Sequence, residues 1–347
     1  MTSTTGAGRS RPAHPPALPN ERAMAPSSSW IGRAARVLTT PPLGPLIVLV
    51  AFAAVFTAMS DRFLTPGNLS LIAQQSVIIG TLAIGQTLVI LTAGIDLATG
   101  AIAVLGTIVA GKLVDEGYAA LPSLLLAIGL CSLVGLVTGT LVSRLKLPPF
   151  IVTLGLLGIV TAATRLFSGG GAFPVLDDLL GWTGNTLRLG GAVITYGIII
   201  MLGLYGLVWY LLNQTAWGKH VYAIGNSPEA ARLVGIPVQR RILSVYLFAA
   251  FLYGIGAWLA LGRIPNADPN AMQNANLDSI TAVVIGGTSL FGGRGSLIGT
   301  LIGVLIVGVL RNGLTLIGID PLWQDLVTGV LVIAAVALDQ LSRWRRV

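Results

Sequence analysis

The chain has 347 residues and a mean hydropathy of +0.83, and only 10% of its residues are charged, against roughly 25% in an average soluble domain. Its apolar runs repeatedly reach the ~20 residues that carry a helix across a bilayer, and they are continuous rather than alternating, which argues against a β-barrel. The single cysteine, Cys131, lies in an apolar run and excludes an internal disulfide, while the 44 glycines favour close helix–helix packing.

In chain order, residues 1–40 are rich in Pro, Ser, Ala and Arg without an apolar period and read as a disordered basic tail. It is not a secretory leader, because no apolar run precedes Pro42 and no small-residue cleavage site opens a soluble domain. A membrane domain, 41–341, follows. Its first span is placed at 43–59. The stretch 69–113 is too long for one span and is broken at Gly94-Ile95-Asp96-Leu97-Ala98-Thr99-Gly100, so it is split into two. Further spans are placed at 122–143, 149–167 and 192–212, with a long loop over 168–190. After a polar loop over 213–241 come 242–262, a short segment at 279–291, then 297–314 and 322–338, and a basic C-terminus at 342–347. The fold class expected is all-α, a polytopic bundle of about ten spans with broken or half-span helices near 94–100 and 279–295.

That arrangement puts both termini in the cytoplasm. Fifteen basic residues fall on the assigned inner side and six outside or at outer span ends, the asymmetry the positive-inside rule requires. The net charge of +8 is therefore mostly a topology signal, and no nucleic-acid role is assigned to it.

The loop 213–241 carries a clear helix signal. Ser227 is an N-cap, Pro228 stands at the first helical position, Glu229 faces the positive end of the dipole, and Gly235 and Pro237 mark the stop. A helix of about two turns is unstable alone in water, so it reads as a docking element held between the bundle and a partner.

The chemistry is defined largely by what is missing. His14 and His220 lie outside the spans, which argues against a histidine proton relay or an intramembrane protease. No phosphate-binding loop exists: of the three lysines, Lys112 and Lys219 follow a glycine, but Leu113 and His220 come next where Ser or Thr is required. No catalytic residue and no metal-ligand set is assigned. A transport function driven by ATP would need the nucleotide site on another subunit.

Asp96 is the one carboxylate placed at membrane depth, where a charge is costly and functional by default. It either caps a helix starting at Leu97 or contacts a solute or ion. Gln74, Gln75, Gln86 and Thr87 in the same region either hydrogen-bond a hydroxylated solute or tie helices together. Gly295, Gly299 and Gly303, like Gly135 and Gly139, are spaced by four and form packing faces, between helices or between two copies of the chain.

Several motifs then line up. Glu229-Ala230-Ala231 followed by Gly235 resembles the EAA motif in membrane subunits of ATP-binding-cassette importers. Gly94-Ile95-Asp96-Leu97, Leu147 to Gly155, Gly218 to Gly235, and Ala282 to Leu290 with Gly292-Gly293-Arg294-Gly295 resemble, in order, segments of the monosaccharide permeases of such importers. The likeness covers roughly residues 42–339; Ala98 departs from it, standing where the family often has Ser.

The resemblance is to the ribose/xylose/arabinose-type permeases. It implies a homodimeric pore in the lipid of a bacterial inner membrane, a periplasmic sugar-binding protein and a cytoplasmic ATPase. ATP and Mg would sit on that partner, with no cofactor on this chain. It makes Gly218, Ala223, Gly225, Asn226, Glu229, Ala230, Ala231 and Gly235 the candidate ATPase-coupling residues. Gln86, Asp96, Phe150, Thr153 and Thr288 are the candidates for the solute path. The alternatives are a cation-coupled sugar symporter, which needs no ATPase, and a membrane scaffold or channel without pumping.

Overall fold

The structure, a computed structural model, describes residues 2–3 and 43–344. The tail expected over 1–40 lies almost wholly outside the described residues, as do 345–347. In chain order the elements are α1 (Leu43–Met59), α2 (Pro66–Leu91), α3 (Thr99–Asp115), α4 (Ala120–Ser143), α5 (Pro149–Ser168), β1 (Phe173–Pro174), α6 (Asp178–Gly181), β2 (Thr186–Leu189), β3 (Ala192–Thr195), α7 (Tyr196–Gln214), α8 (Ala216–Asn226), α9 (Pro228–Leu233), α10 (Val238–Arg263), β4 (Asn266–Ala267), α11 (Ala275–Ile285), α12 (Leu297–Leu316) and α13 (Pro321–Trp344).

Helices α2, α4, α5, α7, α10 and α12 are long and apolar enough to cross a membrane; α1, α11 and residues 321–334 of α13 are shorter apolar helices. The expected count was about ten, so six meet the full length and hydropathy among the described residues. Burial sorts them. The apolar window of α2 is 83% buried and that of α4 only 28%, which makes α2 the central helix and leaves α4 with a broad exposed apolar face.

Small residues set the contacts. Gly85 of α2 packs under the ring of Tyr253 and against Ala249 of α10, and Gly256 of α10 faces Leu82. Gly135 and Gly139 of α4 lie against Tyr246, Ala250 and Leu243 of α10. Gly299 and Gly303 of α12 lie against the backbone of Gly286 and Ala282, and Gly295 lies against Thr288. These glycines therefore meet segments of the same chain, α10 on one side and the end of α11 with the turn after it on the other.

The end of the bundle away from α8 and α9 is closed by short non-helical pieces. β1 pairs antiparallel with β4, and β2 with β3. The second pair corrects the sequence reading, which made 168–190 a loop and began the next span at 192. Gly190 and Gly191 both have positive φ, +54° and +89°, the turn that a two-residue hairpin needs, so α7 begins only at Tyr196. The hairpin is moored to α2: Val193 N–H donates to Ser70 Oγ at 2.9 Å, and Gln74 Nε2 donates to Val193 O at 3.2 Å.

At the same end, an ionic knot joins the last three helices. Arg311 Nη2 of α12 lies 2.8 Å from Asp278 Oδ1 of α11 and 3.2 Å from Asp325 Oδ1 of α13, and Asn274 Nδ2 donates to Asp325 Oδ2 at 2.9 Å. Asp278 is buried, so its charge depends on this partner.

Two boundaries move. The break expected at 94–100 spans Thr92 to Ala98, because α2 runs on to Leu91 and α3 starts at Thr99. The short segment expected at 279–291 is a helix over Ala275–Ile285; Gly286 and Gly287, the latter at φ +88°, end it. Residues 286–296 then run without helix to α12.

Candidate functional site

The polar loop 213–241 holds two helices, where one was expected. The missed one, α8, is capped by Thr215, whose Oγ1 accepts from Gly218 N at 3.3 Å. Val221 and Ile224 bury its apolar face, and Trp217 Nε1 donates to Ser244 Oγ at 2.9 Å, tying α8 to α10. Gly218 fits against the backbone of Leu212. The sequence signal was present: an N-cap threonine and apolar residues at helical spacing. The charged residues between them masked it.

α9 is built as its sequence dictates. Ser227 Oγ accepts from Ala230 N at 3.1 Å, Pro228 occupies the first turn, and Gly235 at φ +83° turns the chain out. Ala231 alone points inward, against Ile224 and Val238. Glu229, Ala230 and Arg232 are exposed, and Leu233 and Val234 are 88% and 77% exposed. Two bare aliphatic side chains on a charged tip are a surface that suits a protein partner. Ser227→Ala is expected to lower helix stability by about 1 kcal/mol. Faster amide exchange over 228–234, with the spans unchanged, is the readout.

Behind this tip three backbones converge. Gly293 N–H donates to Leu91 O, the end of α2, at 3.0 Å. Gly225 sits in the same crevice, where a methyl group would overlap Leu91 O and Gly293 N. Asn226 Nδ2 donates to Gly293 O at 3.4 Å, and Tyr222 OH donates to Gly295 O at 3.1 Å. Burial raises the pKa of Tyr222 above the usual phenol range, so the hydroxyl remains a donor at neutral pH. Next to the knot, Ala93 adopts φ +60°, a strained conformation for a residue with a Cβ, and Gly292 at φ +82° lies hard against it. Thus α8 grips both the end of α2 and the turn after α11. Of the named coupling candidates, Gly225 and Asn226 are in this knot, Gly218 and Ala223 are on α8, and Glu229, Ala230, Ala231 and Gly235 form the projecting α9 and its end.

The break in the chain follows directly. Asp96 is buried and its Oδ1 accepts from Ala98 N at 2.9 Å, so it caps the turn before α3 rather than a helix starting at Leu97. Among the described residues, no ion pair reaches it. Gln86 Oε1 accepts from Thr99 Oγ1 at 2.9 Å, and Thr153 Oγ1 lies 3.1 Å from Ile95 O. Gln86 Nε2 and the Tyr246 hydroxyl are buried without a hydrogen-bond partner, and the Tyr253 hydroxyl interacts with Asp96 and Thr99. The Tyr246 hydroxyl lies beside Gly94. The structure thus gathers Gln86, Asp96 and Thr153 at the break. It leaves Phe150 half-exposed on the bundle surface and puts Thr288 against Gly295, with its hydroxyl unpartnered. The two tyrosines were not singled out in the sequence, since both lie inside an otherwise apolar span.

Residues 68–336 match the family model described as the branched-chain amino acid transport system / permease component. The chain belongs to this permease family. The fructose import permease of Rhizobium meliloti is 46% identical over 312 residues, covering 88% of this chain and 87% of the relative. The ribose import permease of Escherichia coli K12 is 37% identical over 298 residues, 85% of this chain and 92% of the relative. The galactose/methyl galactoside import permease of Escherichia coli K12 is 34% identical over 319 residues, 87% of this chain and 95% of the relative. No solved structure matches. These relatives bear out the resemblance to monosaccharide permeases read from the motifs, and this permease is a multi-pass membrane protein. In the permease, the motif segments with Gly94–Asp96, Gly218–Gly235 and Gly292–Gly295 are distant in sequence but adjoin in space at the knot and the break.

Proposed function

We propose that this chain is the membrane subunit of an ATP-binding-cassette importer that carries a monosaccharide or a similar small hydroxylated solute across the bacterial inner membrane. In this reading both termini and α8–α9 face the cytoplasm, about ten passes cross the bilayer, and two copies of the chain form the pore. A periplasmic binding protein delivers the solute. The fructose, ribose and galactose relatives support the solute class.

One observation carries the coupling mechanism: the exposed tip at Leu233 and Val234 is joined through Gly225, Leu91 and Gly293 to the break that holds Asp96. A separate ATPase docks on α9. Its closure on ATP and Mg shifts α8–α9 as a rigid piece. The shift moves the end of α2 and the turn after α11 together, so the two broken segments rearrange at once. Direction comes from differential contacts in two states of the bundle.

The test is copurification of a tagged chain with the ATPase, followed by uptake into proteoliposomes. ATP-dependent uptake of fructose, ribose or galactose is expected. Glu229→Ala and Gly235→Asp are each expected to abolish uptake and uncouple ATP hydrolysis while membrane insertion is retained. Uptake driven by a cation gradient without ATP would instead establish the symporter reading. Normal uptake by both variants would overturn the lever.

A further inference from the structure

A cavity of about 190 Å³ lies between α3, α5, the loop after β4 and the start of α11. A single water needs only roughly 10–15 Å³ of such space, so the cavity has room for a small molecule. It is at the half of the bundle away from α8–α9, since it reaches Arg165 at the far end of α5.

Its wall is divided in a way that suits one ligand class. Val104, Leu157 and Met272 supply apolar surface, while Thr161, Arg165, Gln273 and Asn276 supply hydroxyl, guanidinium and amide groups from three elements. Arg165 Nη2 donates to the neutral Asn270 Oδ1 at 3.0 Å, and among the described ion pairs none involves it. Apolar C–H faces beside a hydroxyl, two amides and a guanidinium already bonded to a neutral amide suit a polyhydroxylated ring better than an acyl chain. The floor connects to the break. Gly100 lies against Met272 O, Asn276 Nδ2 donates to Leu97 O at 3.2 Å, and just beyond are Gln86 and Asp96. Below that floor are two buried groups without partners, Gln86 Nε2 and Tyr246 OH, which are suited to bonding hydroxyls.

We propose that this cavity is an outward-side binding station for a neutral monosaccharide within a single copy of the chain, and that the Asn276–Leu97 hydrogen bond forms its floor. The station rests on the importer reading above. It explains why polar groups of α5 and the 269–276 loop face one another at the end where solute arrives. It adds Thr161, Arg165, Gln273 and Asn276 to the specificity-determining residues, none of which the motifs mark.

The test uses the full complex in proteoliposomes. Cys131 is the single native cysteine and is fully buried, so it is a silent background for labelling. In Thr161→Cys, a membrane-impermeant maleimide is expected to react from the outer side, and fructose, ribose or galactose is expected to slow that reaction about tenfold, the worth of roughly one or two hydrogen bonds. Thr161→Val, close in shape, is expected to cut uptake by about the same factor and to change the order of preference among the three sugars. If the unsubstituted complex shows no ATP-dependent uptake, the importer reading falls and the station with it. If uptake is present but no sugar protects Thr161→Cys, and Thr161→Val transports all three as before, the station alone is overturned.

Discussion

Gly225→Ala is expected to stop transport while leaving the ATPase docked. A methyl group at this position would overlap Leu91 O and the Gly293 backbone, and neither is a flexible side-chain end that can swing aside. Overpacking of this kind costs about 1–3 kcal/mol. Part of that cost is met by separating α8 from α2 and from the turn after α11, which is the connection through which the lever acts. ATP-dependent uptake should fall by one to two orders of magnitude, the range that about 1–3 kcal/mol of coupling free energy corresponds to. The matched control is Gly203→Ala on α7, where an added methyl meets nothing within 4 Å and uptake should be unchanged. The two variants compared in one uptake assay decide the matter: equal, near-normal rates would show that the three-backbone knot transmits nothing.

Arg311→Met is expected to destabilise the end of the bundle away from α8–α9. Asp278 is 4% exposed and lies 2.8 Å from Arg311 Nη2, whereas Asp325 is open to solvent. Removing the guanidinium leaves a buried carboxylate without its cation, which costs about 3–5 kcal/mol for a fully buried pair. Arg311 is only half-buried, so water screens part of the loss and about 2–3 kcal/mol is expected. The double variant Asp278→Asn, Arg311→Met should recover most of it, because the uncompensated charge is gone. Thermal unfolding of the detergent-purified chain distinguishes these outcomes. A single variant that melts with the unsubstituted protein would mean the knot is ornamental to stability.

Much of the candidate site was legible because its signals are local. Ser227, Pro228 and Gly235 each act on the backbone within four residues, so the two-turn α9 could be placed without knowing what surrounds it. The interruption at Gly94–Gly100 was legible for the same reason: glycines and a carboxylate cannot continue an apolar run. The helix α8 and the hairpin Thr186–Thr195 were not read, although Thr215 and the Gly190-Gly191 pair announced them. Charged residues beside Val221 and Ile224 hid a short amphipathic face, and the hairpin fell at the join of a loop and a span.

From the sequence alone came the class of molecule, its long apolar helices and the capped α9. Each depends on composition or on residues within a turn of one another. Only the tertiary structure decided which segments touch. Leu91, Gly225 and Gly293 are separated by more than a hundred residues of chain from first to second, and their contact rests on the absence of side-chain atoms at two glycines. The cavity of Thr161, Arg165, Gln273 and Asn276 is likewise formed by the packing of α5 against a loop far along the chain. Helix packing in a bilayer is governed by close fit of small residues rather than by a hydrophobic pattern. A pattern can therefore show that helices are present, but which of them adjoin is settled by fit in three dimensions.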